Sequence, residues 1–212
     1  MTKTSNGLPG MFVPTAQPDE ASQPSFDIVA VASSAGGLAA LTRLMSLLPA
    51  DLPAAILVVQ HLDPRHRSLM AEILAKRTSL TVKQAEDGEA IASATAYIAP
   101  PDKHLLANPD RTLSLTQSEL VHFVRPSADL LFESVAAAFR ERAIAIVLTG
   151  SGSDGSMGVR AIKKTGGTVI AQDEQTSEYF SMPSASIDTG AVDFVLPIED
   201  IASAVVSLVV GS

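Results

Sequence analysis

Apolar and polar positions follow two patterns along the chain. Short β-branched runs that end in small or polar residues predict buried strands, and apolar residues three or four positions apart predict amphipathic helices. Strands are predicted at 27–33, 54–60, 143–149, 168–171 and 193–196, and helices at 36–48, 67–77, 127–139, 156–164 and 198–210. Because strands alternate with helices, we expect an α/β fold that is doubly wound, with a mostly parallel sheet and helices on both faces.

The middle of the chain has a different pattern. Turn sequences such as Asp87-Gly88 and Asn108-Pro109-Asp110 separate four short strand-like runs, which cover 81–85, 94–99, 104–106 and 112–116. Short strands joined by tight turns are typical of hairpins. These runs therefore predict antiparallel hairpins at one edge of the sheet.

The first 25 residues differ in composition from the rest. They contain four prolines and two glycines among scattered serines and threonines, and such a composition resists regular structure. We therefore predict a flexible N-terminal tail over 1–25 and one folded domain over 26–210, a length that suits a single hydrophobic core.

The apolar run at 26–32 ends in Ser33-Ser34 and is followed by Gly36-Gly37. Ser34 thus lies where a predicted strand gives way to a helix, which is the usual place for a functional site in an open α/β sheet. Glycines allow close approach to the backbone, and the unpaired N–H groups of a helix start can bind an anion or an oxyanion. The alternative is a turn of small residues that only lets the helix pack on the strand.

Two other predicted strands also end near chemically active groups. His61 follows the strand at 54–60, and Asp154 lies in the glycine-rich loop after 143–149. A serine hydroxyl needs a histidine to take its proton and a carboxylate to orient that histidine. Ser34, His61 and Asp154 are therefore candidates for a catalytic triad.

Each triad candidate also has a structural interpretation: a turn serine, a buried core histidine, and an N-cap of the helix that follows the aspartate. The order Ser, His, Asp and the absence of a G-x-S-x-G motif argue against the α/β-hydrolases.

Composition excludes several classes of function. The net charge of −8 argues against general binding to nucleic acid or to anionic membranes. No run approaches the ~20 apolar residues of a membrane span, and the N-terminus does not resemble a signal peptide, so we expect no membrane insertion and a cytoplasmic location. The sequence has no cysteine and its four histidines lack the HExxH spacing, so we expect neither a metal nor another cofactor.

Six sequence blocks resemble the CheB-type chemotaxis protein-glutamate methylesterase family. They occur in the family's order and together extend over nearly all of 26–210. The blocks are 31–37, 59–62, 97–105, 125–129, 148–155, and 172–174 with 182–183.

The resemblance implies a serine esterase that hydrolyses γ-glutamyl methyl esters and releases methanol, with glutamine deamidation as a further reaction. Ser34 matches the family's nucleophile, His61 its general base and Asp154 the carboxylate that orients the base. The implied partners are methylated cytoplasmic helices of chemoreceptors and other proteins of a signalling complex.

The same matching gives candidates for the surroundings of the reacting group. Backbone N–H groups near the two loops are candidate oxyanion donors, and two further side chains match positions close to the cleft. The donor candidates are Ala35, Gly36, Gly37 and Ser151, and the cleft candidates are His104 and Met182.

The chain departs from the family at two loop positions. Ala35 stands where the family usually has Thr, and Ser151 stands where it usually has Met. A degenerate esterase that serves as a signalling scaffold therefore remains an alternative. A second alternative is a non-catalytic α/β module that binds a phosphate or a nucleotide at its glycine turns.

Overall fold

The computed structural model describes residues 28–61, 68–121 and 124–211, so the predicted tail at 1–25 lies outside the described residues. The strands are β1 (Ile28–Ser33), β2 (Ala55–Gln60), β3 (Thr81–Gln84), β4 (Thr95–Ile98), β5 (His104–Ala107), β6 (Leu113–Thr116), β7 (Ala143–Val147), β8 (Thr168–Gln172) and β9 (Phe194–Leu196). The helices are α1 (Gly37–Ser46), α2 (Met70–Ala75), α3 (Ala128–Phe139), α4 (Ser156–Lys164), α5 (Ser181–Ile187) and α6 (Ile198–Val210), and a short 3-10 turn (Arg140–Arg142) follows α3.

Seven of these strands form one sheet in the order β3-β4-β2-β1-β7-β8-β9. Every neighbouring pair in it is parallel. The central strand β1 pairs with β2 on one side and β7 on the other, so the order of connection reverses at this point. The predicted α/β fold class is confirmed, and the switch point, where such sheets bind ligands, lies between β1 and β7.

The sheet is covered by helices on both faces. Along β1, side chains alternate between two cores: Ala30 and Ala32 pack in the core that includes residues of α3, α4 and α5, and Val29 and Val31 pack in the core that includes residues of α1, α2 and α6. A strand buried on both faces has no polar side, which explains its continuous apolar sequence.

The hairpin prediction holds for two of the four short runs. β5 and β6 pair antiparallel in a separate two-stranded sheet, whereas β3 and β4 pair parallel and extend the main sheet. The segment between β3 and β4 follows the start of β6, where the Gly88 N–H donates to Leu113 O (2.8 Å) and Ala90 forms a bridge with Thr112. This detour lets the chain re-enter the sheet in the same direction.

The starts of α3 and α4 each bind a carboxylate from the other helix's segment. Asp154, just before α4, accepts hydrogen bonds from the N–H groups of Ala128 (2.6 Å) and Asp129 (3.1 Å). In return, Asp129 Oδ1 accepts from the N–H groups of Met157 (2.9 Å) and Gly158 (2.7 Å). Helix starts have unpaired N–H groups and favour negative charge, so this exchange fixes the two helices relative to each other.

No helix within the described ranges has the length and apolarity needed to span a bilayer.

The contact between α3 and α4 predicts an unusual response to a glycine substitution. A Cβ atom at Gly158 would lie 2.6 Å from Phe132 Cβ and 3.0 Å from Asp129 O. Replacing a helical glycine with alanine normally stabilises by up to about 1 kcal/mol. For Gly158→Ala we expect a loss of about 1–3 kcal/mol in the free energy of unfolding, because the helices must separate.

Urea unfolding of the purified variant measures this loss. Arg160→Ala, on the exposed side of the same helix, is the control and is expected to lie within about 0.5 kcal/mol of wild type. A Gly158→Ala protein more stable than wild type would contradict the close contact.

Candidate active site

The carboxyl ends of β2, β1 and β7 meet at the middle of one edge of the sheet. Ser34, immediately after β1, donates its backbone N–H to Thr149 O beyond β7 (3.0 Å) and accepts at its carbonyl from Gln60 Nε2 at the end of β2 (2.7 Å). The residue is half-buried and lines a cleft. Its hydroxyl has no hydrogen-bond partner among the described residues, so the Oγ atom is not engaged in holding the turn.

His61 and Asp154 form a close pair beside Ser34. His61 Nε2 and Asp154 Oδ2 lie 2.8 Å apart, with 14% of the histidine side chain and 4% of the aspartate side chain exposed. An ionised carboxylate can only accept, so Nε2 carries the proton in this hydrogen bond. The remaining ring nitrogen, Nδ1, is then the atom that can take a proton from a nearby group.

Asp154 accepts four hydrogen bonds. Oδ1 accepts from Ser127 Oγ (2.9 Å) and from the Asp129 N–H, and Oδ2 accepts from the Ala128 N–H and from His61. Burial opposes ionisation, but the hydrogen bonds from His61, Ala128 and Asp129 outweigh it, so the pKa of Asp154 lies below its ordinary value. The carboxylate is therefore ionised at neutral pH.

The interpretation of Asp154 as the N-cap of its own following helix is not supported. The N-cap residue of α4 is Gly155, and no side chain caps that position. Asp154 instead accepts a hydrogen bond at the start of α3 from the N–H group of Ala128, which precedes it by 26 positions in the chain.

His104 does not line the cleft, because its side chain is completely buried. Its Nδ1 accepts from the Ser127 N–H (3.1 Å), so Nε2 carries the proton and donates to Glu119 O (3.1 Å). Burial lowers the pKa of this histidine, which agrees with a neutral ring. His104 thus supports Ser127, and Ser127 in turn donates to Asp154.

Met182 is also completely buried and lies beneath the site instead of lining it. Its N–H donates to Gly150 O (3.0 Å). A side chain at Gly150 would overlap Met182 Sδ and would come within 2.9 Å of Ser34 Cβ. Gly150 is therefore needed for the close approach of these two residues.

The four candidate oxyanion donors differ in whether their N–H group already donates a hydrogen bond. The Gly37 N–H donates to Ser34 O (2.9 Å) and is already occupied. The N–H groups of Ala35, Gly36 and Ser151 have no acceptor in the part of the chain that the structure describes. Gly36 has φ of +75°, a left-handed conformation that favours glycine. Three of the four predicted donors therefore remain available.

Two buried glutamines, which the sequence analysis did not single out, hold the loops of the site. Gln60 Nε2 donates to the carbonyls of Ser34 (2.7 Å) and His61 (3.1 Å), and Oε1 accepts from Ser33 Oγ (2.6 Å). Gln172 Oε1 accepts from the Thr149 N–H (2.8 Å). Each glutamine is the last residue of its strand, β2 or β8, and the signal for both is an amide that directly follows at least three apolar residues.

Within 28–61, 68–121 and 124–211, no group of three or more histidine, aspartate or glutamate side chains is placed to hold a metal ion.

The lowered pKa of Asp154 links stability to pH. The folded state favours the ionised carboxylate, so this contribution to stability is present above the ordinary pKa of 3.8 and is lost as the pH falls through the lower pKa of the folded state. Asparagine keeps the size of the side chain and does not titrate. We expect the stability advantage of wild type over Asp154→Asn to shrink as the pH falls below 3.8.

Urea unfolding of both proteins from about pH 5 downwards measures this difference, because the two chains differ only in the group at position 154. A difference that stays constant throughout would mean that Asp154 is not held in its ionised form.

Comparisons with known families and known structures identify the same family of proteins. A family model described as CheB methylesterase matches residues 29–205. The crystal structure of the Thermotoga maritima CheB methylesterase catalytic domain superposes with a TM-score of 0.84 at 39% sequence identity, and the match covers 87% of this chain and 100% of that one.

Two relatives carry the name protein-glutamate methylesterase/protein-glutamine glutaminase. The Moorella thermoacetica protein is 39% identical over 194 residues, which cover 90% of this chain and 46% of that protein. A Leptospira interrogans protein, named as putative, is 37% identical over 184 residues, which cover 87% of this chain and 95% of that protein. The chain thus spans about half the length of the first relative and nearly all of the second. From the family match and these identities, the chain belongs to the CheB methylesterase family.

Proposed function

We propose that this chain is a serine esterase that hydrolyses γ-methyl esters of glutamate on chemoreceptor-type signalling proteins. The observation that carries the proposal is the 2.8 Å hydrogen bond between His61 and Asp154 at the end of the strand next to Ser34. Family membership supports the same reaction. The proposed catalytic domain is 26–210, and the family match at 29–205 lies within it.

In the proposed mechanism, Ser34 Oγ attacks the ester carbonyl while its proton passes to His61 Nδ1. Asp154 holds the ring in the tautomer with its proton on Nε2 and stabilises the imidazolium that forms. The imidazolium then protonates the departing methoxide, which leaves as methanol. A water molecule, activated by His61, hydrolyses the acyl-enzyme to give the glutamate carboxylate and restore Ser34.

The negative charge that develops on the carbonyl oxygen needs hydrogen-bond donors that are already in position. We assign this role to the available backbone N–H groups of Ala35, Gly36 and Ser151. All three lie in the loops that follow β1 and β7, the two strands at the switch point.

The same acyl-enzyme chemistry applies to the side-chain amide of glutamine, where ammonia replaces methanol as the leaving group. The names of the relatives include protein-glutamine glutaminase. We therefore include glutamine deamidation as a second reaction of the same site. Methylated cytoplasmic helices of chemoreceptors, together with the proteins of their signalling complex, are the proposed partners, and this places the proposed action in the cytoplasm.

The two alternatives from the sequence have weaker support. A module that binds phosphate at its glycine turns leaves the His61–Asp154 pair without a role. The scaffold interpretation depends on Ala35 and Ser151, but Ala35 acts through its backbone, where its carbonyl accepts from Thr149 Oγ1 (3.0 Å), and the Ser151 side chain is exposed. Among the described residues, neither side chain forms a hydrogen bond to the proposed triad.

Ser34→Ala tests the nucleophile. We expect methanol release from a methylated receptor fragment to fall by about 10⁴-fold or more, because the covalent step is lost while the hydroxyl makes no hydrogen bond to another described residue. A fluorophosphonate probe is expected to label Ser34 in wild type and not in the variant.

Ser153→Ala is the matched control, because this serine is exposed on the Asp154 loop. Ser33 is unsuitable, since it is buried and its hydroxyl donates to Gln60. If Ser34→Ala kept a tenth of the wild-type rate, or if the probe labelled another serine, the proposed nucleophile would be wrong.

Gln60→Leu tests the positioning of the nucleophile and the base. The change keeps the side-chain volume close to that of wild type and removes the hydrogen bonds that join the Ser34 and His61 backbones. We expect kcat for a small ester to fall by about 10²-fold with little change in KM, because a shift of about 1 Å at a reacting group costs that much.

Gln172→Leu is the control for loss of a buried amide, since Gln172 binds Thr149 and not Ser34 or His61. Both variants are expected to lose about 1–3 kcal/mol in the free energy of unfolding, so stability alone does not separate them. Equal values of kcat for the two folded variants would assign Gln60 a purely structural role.

A further inference from the structure

A groove leads away from Ser34 between α1 and α2. Its first part is a cavity of about 730 Å³ with Ser34 at one end. Its second part, about 530 Å³, shares Thr42, Ser46 and Arg77 with the first and adds Lys76. Because the two cavities share these wall residues, they are neighbours along α1, and the first of them includes the proposed nucleophile.

The part of the groove nearest Ser34 is apolar and exposed. Leu38 on α1 is 38% exposed and Ile73 on α2 is 40% exposed, and Met70 is buried at the base between them. Leu69, next to Met70, is 55% exposed. Exposed apolar side chains that line a groove beside an active site are typical of a surface that another molecule covers.

The far end of the groove is basic. Lys76 and Arg77 are exposed, and neither forms an ion pair with an acidic side chain in the described ranges. Arg43 also lines the groove, but its guanidinium forms an ion pair with Glu199 (3.5 Å). The whole chain carries a net charge of −8. A basic end in such a chain complements an acidic partner.

We propose that this groove binds an amphipathic helix of the protein substrate. The apolar face of that helix covers Leu38 and Ile73, its methyl ester lies at Ser34, and an acidic residue meets Lys76 and Arg77. This inference rests on the proposed function for the identity of the ester. Two helices that flank an apolar channel next to the reacting group form the kind of groove that receives a third helix.

The length of α1 sets the spacing between the ester and the acidic residue. The groove follows α1 from its start to Ser46, and ten residues at about 1.5 Å each span ~15 Å. A substrate helix covers this distance in two to three turns. The acidic residue is therefore expected about seven or eleven positions from the esterified glutamate, on the same face.

The test measures binding of synthetic helical peptides to the full chain carrying Ser34→Ala, by fluorescence anisotropy. Each peptide has one γ-methyl glutamate, an apolar face, and either Glu or Lys at seven or eleven positions from the ester. One series places this charged residue on the N-terminal side of the ester, and a second series places it on the C-terminal side. In one of the two series we expect the Glu peptide to bind about ten-fold tighter than the Lys peptide, with the preference declining as salt is raised.

Arg77→Glu in the same background is expected to invert the preference, so that the Lys peptide binds tighter than the Glu peptide. This gain in affinity for the Lys peptide also shows that the variant is folded. Lys164→Glu changes the charge equally on α4, at the opposite face of the sheet, and is expected to keep the wild-type preference.

Equal binding of Glu and Lys peptides in every series would overturn the proposal. So would an equal effect of Lys164→Glu, equal binding of a proline-broken peptide, or a change in oligomeric state with Arg77→Glu, which would make the groove a contact between copies of the chain. Binding to the Ser34→Ala protein requires no hydrolysis. If the wild-type chain releases no methanol from the peptides, the proposed function fails while the groove is judged on binding alone.

Discussion

The buried carboxylate of Asp154 is the constraint on which the rest of the site depends. A buried charge is costly unless it is fully hydrogen-bonded, and this one is satisfied only when Ser127, the first N–H groups of α3 and His61 all reach it. The start of α3 must therefore lie beside the loop after β7, and the end of β2 must lie within reach of both. The reciprocal bond from Asp129 to the start of α4 closes this arrangement. A side chain that orients the proposed base thus also fixes how three elements of the fold meet.

The two buried glutamines satisfy polar backbone groups at the strand ends, as the partners of Asp154 satisfy its charge. A loop that leaves a parallel sheet has backbone groups that no neighbouring strand can pair, and these groups need partners when they are buried. An amide side chain offers both donors and an acceptor, so Gln60 and Gln172 each bind two such backbone groups at once. They lie on the strands that flank the β1–β7 pair. Gln60 therefore holds the turn that carries Ser34, and Gln172 holds the start of the loop after β7. Neither glutamine takes part in the proposed chemistry.

The sequence predicts those features that follow from local pattern. The fully apolar runs of β1 and β7 and the apolar stripes of α3 and α6 are long enough to define strand and helix. Pattern fails where the path of the chain decides the outcome: nothing local distinguishes the parallel β3–β4 pair from a hairpin, and α5 is short and has no apolar repeat. Likewise, the sequence indicates Asp154 as a functional carboxylate, but its place at the start of α3 follows from tertiary packing alone.

The two faces of the sheet carry different parts of the proposed site. The helices that support Asp154 and Met182 pack on one face, and the helices that form the proposed groove pack on the other. Ser34, at the end of the central strand, is where the two layers meet. Since residues on opposite faces of a sheet are separated by the strands, substitutions along α1 and α2 can alter which helix is bound without disturbing the hydrogen bonds around Asp154. Such a division would let substrate preference diverge among relatives while the proposed chemistry is retained.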